Sequence, residues 1–271
     1  MPGTKNDVKR RLTSPRIAQT IADELRRQIV DGELADGDLL PPQSVLVERF
    51  NVSLVSLREA LRILETEGLV SVRRGNRGGA VVHSPDETTA ASMLGLLLQS
   101  ENVPLSDLAQ ALTEFEPACA GLAAQRVDRA DTIVPELHRI NSQMAERLDD
   151  GSAFTECGRR FHDMIVRGCG NRTMIAMVGC LEALWTPREL QWAEESAATG
   201  EYPSMSQRKA VLKAHEALTD AIAIGDPQRA RRVAARHVAN TQSNVLAGEL
   251  ADRIIAPAPD AVIRIRERRI L

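Results

Sequence analysis

The order of the predicted elements within residues 17–83 constrains the fold more than any other feature of the sequence. The order is helix, helix, turn, helix and β-hairpin. Apolar residues at a spacing of four predict the buried face of the first helix: Ile17, Ile21, Leu25 and Ile29. The stretch FNVSLVSLREALRILETEGLVSVRRGNRGG, residues 50–79, continues with a turn, a helix and a glycine-tipped hairpin. This order predicts a winged helix-turn-helix domain over residues 16–83.

The last helix and the hairpin of this domain carry groups suited to double-stranded DNA. A helix of this kind fits the major groove with its first residues near the base edges, while the wing lies along the backbone. Ser53 is expected to cap the helix, and Ser53, Ser56 and Arg58 lie at its start. Three arginines crowd the glycine-rich hairpin tip: Arg73, Arg74 and Arg77. The combination predicts DNA binding.

The formal net charge of −3 does not oppose this prediction. Residues 1–83 hold 13 Lys and Arg against 11 Asp and Glu, whereas residues 84–271 hold 21 against 26. The acidity therefore belongs to the second part of the chain. DNA contacts only one face of the first part, where the positive residues cluster.

The remaining composition favours a cytoplasmic protein with no membrane partner. No apolar run reaches the roughly 18–20 residues that cross a bilayer, and the basic N-terminal residues contain no signal-peptide core. The four cysteines form no C-x-x-C pair, so we expect reduced thiols. Residues 1–15 are expected to form a flexible arm.

Residues 25–82, from LRRQIVDGEL to RGGAVV, resemble the DNA-binding domain of the GntR family of bacterial transcription regulators. The likeness rests on the G-x-L-x-x-G-x-x-L-P turn, the V-S-x-x-x-L-R-E-A-L helix and the E-G-L-V entry to the wing. It implies a homodimer that binds a palindromic operator. It also implies which positions contact DNA: Ser44, Ser53, Ser56, Arg58, Arg74 and Gly75.

Two positions depart from the family pattern. Gln43 stands where the family usually has glutamate, and Leu54 stands where it usually has an arginine that recognises guanine. Loss of a bidentate contact changes discrimination at one base pair by roughly 1–3 kcal/mol. We therefore expect an operator that differs from the family's usual sequence.

From residue 84 onward the patterning predicts six to seven helices and no strand, in an antiparallel all-helical bundle. Residues 84–103 are expected to hold a linker and the first bundle helix, and residues 104–255 the main bundle. The fold class is thus mainly α, a winged helix-turn-helix followed by a bundle. Residues 256–271 form a tail of unknown role, with strand-like VIRIR and charged RERR segments.

Histidine spacing predicts a cluster inside the bundle. His215 lies ten residues before Gly225, and His237 lies ten residues after Pro227. A tight turn at Gly-Asp-Pro would place both about 15 Å along neighbouring helices, since each residue rises 1.5 Å. His162 sits in mid-helix beside an apolar residue. Two interpretations stay open: ordinary core histidines, or three ligands of a metal ion.

The bundle resembles the FCD domain, the effector-binding domain of the FadR subfamily, in ALTEFEPACAGLAAQRV, RRFHDMIVRGCGN and AHEALTDAIAIGDPQRARRVAARHV. The resemblance implies one divalent metal ion, such as zinc, nickel or manganese, held by three histidines and an aspartate. A carboxylate effector would complete its coordination. The three histidine positions match His162, His215 and His237.

Two departures concern this metal and its ligand. Gly158 stands where the family often has the aspartate; the candidates to replace it are Glu156, Cys157 and Glu116. Leu112 stands where an arginine often binds a carboxylate. These changes leave room for a metal-free site and an acyl-type effector.

Together these features predict a transcriptional regulator, expected to be a repressor, that responds to a small metabolite. The alternative is a metal-dependent hydrolase, because three histidines with an open fourth position can activate water. The sequence has no H-E-x-x-H, G-x-S-x-G or phosphate-loop motif. We therefore expect no enzymatic activity.

Overall fold

The computed structural model describes residues 7–72, 79–247 and 251–255, with side chains from residue 16 onward. The chain forms two compact units, Met1–Thr89 and Ala90–Leu271. The first contains helices α1 (Asp7–Val30), α2 (Gln43–Phe50) and α3 (Leu54–Thr66), and strands β1 (Val70–Val72) and β2 (Ala80–Val82). Helix α4 (Glu87–Ser100) contains the boundary between the units.

Helix α1 packs against α3 to form the core of the first unit. Ile21, Leu25 and Ile29 are buried as predicted, but Ile17 is 41% exposed and Ala18 is buried instead. Residues four apart drift by about 40° around a helix with 3.6 residues per turn, which carries Ile17 off the buried face. The backbone of α1 begins at Asp7, within the stretch that the sequence predicts as an arm.

The wing is a two-stranded antiparallel sheet in which Val70 pairs with Val82 and Val72 with Ala80. Leu39 adds an isolated bridge to Val81, so the turn before α2 is tied to the hairpin. The predicted hairpin tip lies outside the described residues, and with it Arg73, Arg74, Gly75 and Arg77.

The second unit is a helical bundle, as predicted. Its described residues contain seven helices of three turns or more and the four-residue α6 (Arg129–Thr132). The long helices besides α4 are α5 (Leu105–Gln125), α7 (Val134–Ala145), α8 (Gly151–Gly168), α9 (Arg172–Thr199), α10 (Met205–Ala223) and α11 (Pro227–Val245). Helix α5 packs along α11, and α8 packs against α5, α7 and α9. No helix of the described residues is long and apolar enough to span a membrane.

The Gly-Asp-Pro turn between α10 and α11 has the predicted geometry. Gly225 adopts a φ of +74°, which glycine tolerates without steric cost. The Asp226 side chain accepts hydrogen bonds from the backbone N–H groups of Gln228 and Arg229, and Pro227 is the first residue of α11. The local sequence therefore fixes the register of the two helices.

A short segment after α11 is attached to the start of α5. The backbone N–H groups of Leu105 and Ser106 donate to the carbonyls of Arg253 and Ala251, at 2.8 and 3.1 Å. These are N–H groups of the first helical turn, which have no partner within the helix. Ile255, 3% exposed, packs into the core beside α5.

Candidate functional site

The start of α3 is a capped helix N-terminus. The Ser53 hydroxyl accepts a hydrogen bond from the Ser56 backbone N–H at 3.1 Å. The two hydroxyls lie 3.0 Å apart, and Ser56 is only 5% exposed. Of the three predicted serines, Ser44 and Ser53 are exposed, whereas Ser56 supports the cap from inside. A direct DNA contact by Ser56 stays a prediction.

Arg58 is exposed on α3, and its Nε donates to Gln43 Oε1 at 3.3 Å. Gln43 is the first residue of α2, so this bond joins the beginnings of α2 and α3. An amide carries no charge and leaves the guanidinium charge uncompensated. The glutamine that departs from the family pattern thus positions Arg58 without neutralising it.

Apolar side chains surround these polar groups. Leu54 is 41% exposed, Val55 72% and Val45 47%. Methyl groups at the start of a recognition helix can contact the methyl group of thymine, a feature of the major groove. The exposure of Val45 was not anticipated from the sequence, because its position resembles an ordinary helix residue.

In the bundle, the structure brings the three predicted histidines together. They project from α8, α10 and α11, and their candidate ligand atoms all lie within 4.8 Å of one another. The Nε2 atom of His237 lies 2.9 Å from that of His215 and 3.1 Å from that of His162. His215 and His237 are buried, at 1% and 4% exposure.

Two neighbours fix the orientation of the histidine rings. Phe161 stacks on His215, with ring centroids 3.9 Å apart and planes 6° apart. Glu116, on α5, accepts a hydrogen bond from His162 Nδ1 at 2.7 Å. A proton on Nδ1 leaves the lone pair of His162 on Nε2, the atom that faces the other histidines.

Burial decides the protonation of this cluster. It lowers the pKa of His237 to about 3, with a further contribution from His162. Burial also lowers the pKa of His215 well below its usual value, aided by His237 and His162. For His162 burial lowers the pKa, but the charge and hydrogen bond of Glu116 outweigh it and the net pKa is raised. His215 and His237 are thus neutral near pH 7, the form that binds metals.

The residues present fit a metal ion, since three Nε2 atoms converge in a buried site and a carboxylate orients one of them. Two of the suggested substitutes for the missing aspartate have other contacts: Glu116 binds the opposite nitrogen of His162, and Glu156 pairs with Arg159 at 2.8 Å. Cys157 packs in an apolar cluster. A Cβ at Gly158 would lie 3.9 Å from His215 Cε1, so a side chain there would adjoin the cluster.

A cavity adjoins the histidines, with about 570 Å³ of empty space including the part open to solvent. All three histidines line it. Its wall also contains polar residues that the sequence analysis did not identify: Thr155, Glu189, Tyr202, Arg208 and Asn244. Four of them lie on different helices, Tyr202 lies in the loop between α9 and α10, and the five share no sequence motif, so only the tertiary structure reveals them. Leu112, in place of the family's arginine, is fully buried in the apolar core.

Comparisons with known proteins agree with both units. Residues 17–82 match the model of the bacterial regulatory proteins of the gntR family, and residues 107–240 match that of the FCD domain. Similar sequences include the HTH-type transcriptional repressor NanR of Enterobacter sp. (strain 638), 29% identical over 234 residues and 85% of each chain. NanR of Escherichia coli (strain K12) is 28% identical over 238 residues and 86% of each chain.

A similar solved structure is Streptococcus agalactiae GntR, with a TM-score of 0.62 and 22% identity. The match covers 83% of this chain and 99% of that chain, and it supports the fold.

A winged helix-turn-helix of the gntR type followed by a helical FCD domain is the domain organisation of a transcription regulator. The chain belongs to the GntR family of bacterial regulatory proteins and carries a C-terminal FCD domain. The predicted fold class is confirmed. The expectation that the chain is a regulator and not an enzyme is also confirmed, because the matched family consists of regulatory proteins.

Proposed function

We propose that this protein is a repressor of the FadR subfamily that binds a palindromic operator as a homodimer in the cytoplasm. A small metabolite bound in the FCD domain would modulate that binding. The observation that carries the proposal is the cavity beside three converging histidines, in a chain whose first domain matches a DNA-binding family. Proteins of similar sequence are named transcriptional repressors.

On the DNA side, the start of α3 enters the major groove. Ser44 and Ser53 contact phosphates, and Arg58 contacts a base or phosphate from its position on Gln43. Ser56, Arg74 and Gly75 remain in the proposed contact set on the strength of the family resemblance. The exposed Leu54 and Val55 favour thymine where other members contact guanine.

A dimer follows from the size of the recognition surface. One winged helix contacts only a few base pairs, so two half-sites related by two-fold symmetry are needed for useful discrimination. A metabolite then releases the operator if it binds more tightly to a conformation in which the two domains are wrongly spaced.

In the FCD domain, His162, His215 and His237 would hold a divalent metal ion such as zinc, nickel or manganese. Bound there, the ion would supply a positive charge for an oxygen of the effector. Glu116 keeps the lone pair of His162 on Nε2. The cavity wall combines a guanidinium, a carboxyl group and hydroxyl groups with apolar side chains such as Phe154 and Trp192, so it suits either a small carboxylate or an acyl-type effector.

The proposal is tested by selecting binding sites for the full-length protein from a random DNA pool. We expect enrichment of a two-fold symmetric sequence with one dimer bound per site, measured by light scattering of the complex. A pool that stays random would contradict the proposed repressor function. An asymmetric site occupied by one chain would contradict the proposed homodimer.

A further inference from the structure

Tyr202, the only tyrosine of the chain, lies between two hollows of the bundle. One is the histidine cavity described above. The other, here called the outer hollow, lies between the ends of α9 and α11 and has about 1010 Å³ of empty space, including the part open to solvent. None of the three clustered histidines is among the described residues that line the outer hollow. The residues that line both hollows, and so separate them, are Trp192, Tyr202, Pro203, Gln207 and Asn244.

The loop that carries Tyr202, residues 200–204, has its backbone fixed on both sides. The backbone N–H groups of Glu201 and Tyr202 both donate to the carbonyl of Ser196 near the end of α9, at 2.8 and 3.0 Å. Ser204 caps α10 in a reciprocal pair of bonds with Gln207. Because the backbone is held in this way, the side chain of Tyr202 is the part of the loop that can move most freely.

The Tyr202 side chain crosses from this loop to the start of α8. Its hydroxyl shares a 2.7 Å hydrogen bond with Thr155. Its ring lies against Gly151, where a Cβ atom would come within 3.0 Å of the ring carbons Cδ1 and Cε1. The ring centroid lies 5.6 Å from that of Trp192 and 5.5 Å from the guanidinium carbon of Arg208. A hydrogen bond between two neutral hydroxyls is modest in strength, so this closure is reversible.

We propose that the Tyr202 side chain is the gate of the histidine cavity, and that small ligands enter from the outer hollow. The gate is closed while the hydroxyl is bonded to Thr155, and it opens when the ring rotates away from Gly151. A ligand inside the cavity contacts the inner side of the gate and favours the closed form, which slows its own release. The inference rests on the proposed effector function of this cavity.

The direct test is modification of the histidines by diethyl pyrocarbonate in full-length, chelator-treated protein. This small, uncharged reagent reacts with neutral imidazole, the form in which burial holds His215 and His237 near pH 7. Mass spectrometry of the digested protein gives the rate at each histidine. His138 is the internal reference, because it is exposed. In the wild type we expect both buried histidines to react much more slowly than His138.

Two substitutions should open the gate without altering the histidines. Gly151→Ala should raise the rates at His215 and His237 by about 10-fold or more, because the new methyl group displaces the ring of Tyr202. Alanine is also a better helix former than glycine, so the change does not weaken α8 itself. Tyr202→Phe removes only the hydroxyl group and should raise the same rates by about 2- to 10-fold.

Ser152→Ala, at the exposed neighbouring position of α8, is the matched control and should leave these rates unchanged. Equal rates at the buried histidines in the wild type, Gly151→Ala and Tyr202→Phe would overturn the proposal. Such a result would indicate entry through the hollow between α10 and α11, which His237 also lines. Wild-type rates as fast as that of His138 would overturn it as well.

A variant that fails to fold is recognised by the loss of its urea unfolding transition, and the other variant then decides. The readout needs neither DNA, effector nor metal. Failure of the repressor function would therefore appear separately, as lost operator selection by the wild type.

Discussion

The Nε2 atoms of His215 and His237 lie 2.9 Å apart, on two helices joined by the Gly-Asp-Pro turn. At this distance one nitrogen must carry a proton, because two lone pairs repel each other. The Nε2 of His162 is 3.1 Å from the same His237 atom, so each of the two contacts needs a proton of its own. A divalent cation that accepts all three lone pairs would replace these protons, so metal content is the first property to measure.

Replacing His215 with alanine should abolish metal binding. Protein purified without an affinity tag or chelator is expected to contain about one divalent ion per chain, since structural and catalytic sites need at least three protein ligands. His215→Ala should contain almost none by elemental analysis. His138→Ala is the matched control, because His138 is exposed and distant from the cluster in sequence. Equal metal content in both variants would contradict the site.

Gly158→Asp should strengthen metal binding. The new Cβ would have ordinary contacts, 3.6 Å from Met144 and 3.9 Å from His215, so the carboxylate can be accommodated beside the histidines. A fourth protein ligand should lower the dissociation constant by about tenfold or more. Competition with a fluorescent chelator measures it. Gly158→Asn controls for side-chain size, and equal affinity of the Asp and Asn variants would refute the prediction.

Arg58→Ala should weaken operator binding by about 1–3 kcal/mol while the fold is kept. The loss removes the guanidinium that Gln43 positions at the start of α3. Arg62→Ala is the control on the same helix, since Arg62 is exposed one turn further along and lies 3.6 Å from Glu59. Fluorescence anisotropy with the selected operator measures the affinity of both variants for DNA. Indistinguishable affinities would exclude the proposed docking of α3.

Glu189 should make the stability of the bundle depend on pH. Burial raises the pKa of this carboxyl from 4.5 to about 7 in the folded protein. The protonated carboxyl therefore contributes fully to the free energy of unfolding below pH 4.5. This contribution is lost as the pH rises through 7, where the folded state must ionise a poorly solvated group. Glu189→Gln should gain stability relative to the wild type over that window, by at most about 3 kcal/mol.

This difference is measured by urea unfolding of chelator-treated protein, followed by tryptophan fluorescence. Both tryptophans of the chain, Trp185 and Trp192, lie on α9 in the bundle. Glu194→Gln, at an exposed position of the same helix, should show no such gain. Parallel stability curves for the Glu189→Gln variant and the wild type would rule out the raised pKa.

Ile255→Ala should destabilise the bundle by about 2–5 kcal/mol, because it removes a buried side chain from the segment attached to α5. Ile254→Ala is a matched control, since Ile254 is 41% exposed in the same segment. Its cost should stay within about 0.5 kcal/mol. Urea unfolding followed by tryptophan fluorescence measures the free energy of unfolding of both variants. Equal losses in the two variants would show that the segment does not contribute to the core.

The features that the sequence determined by itself are those in which neighbouring residues provide the necessary contacts. Ser53 bonds to an N–H three residues away, and Asp226 and Pro227 start α11 directly after the turn at Gly225. Such bonds depend on local backbone geometry, so residue type and spacing are enough to predict them. The register of His215 and His237 follows from this local geometry.

The tertiary structure decided which distant side chains meet. The burial of Ile17 was predicted wrongly, because burial depends on what packs against a helix. Glu116 orients His162 across 46 residues of sequence, and Arg208 has its contacts on other segments. Sequence spacing alone does not encode such pairs, since they arise only when helices from separate parts of the chain enclose one cavity.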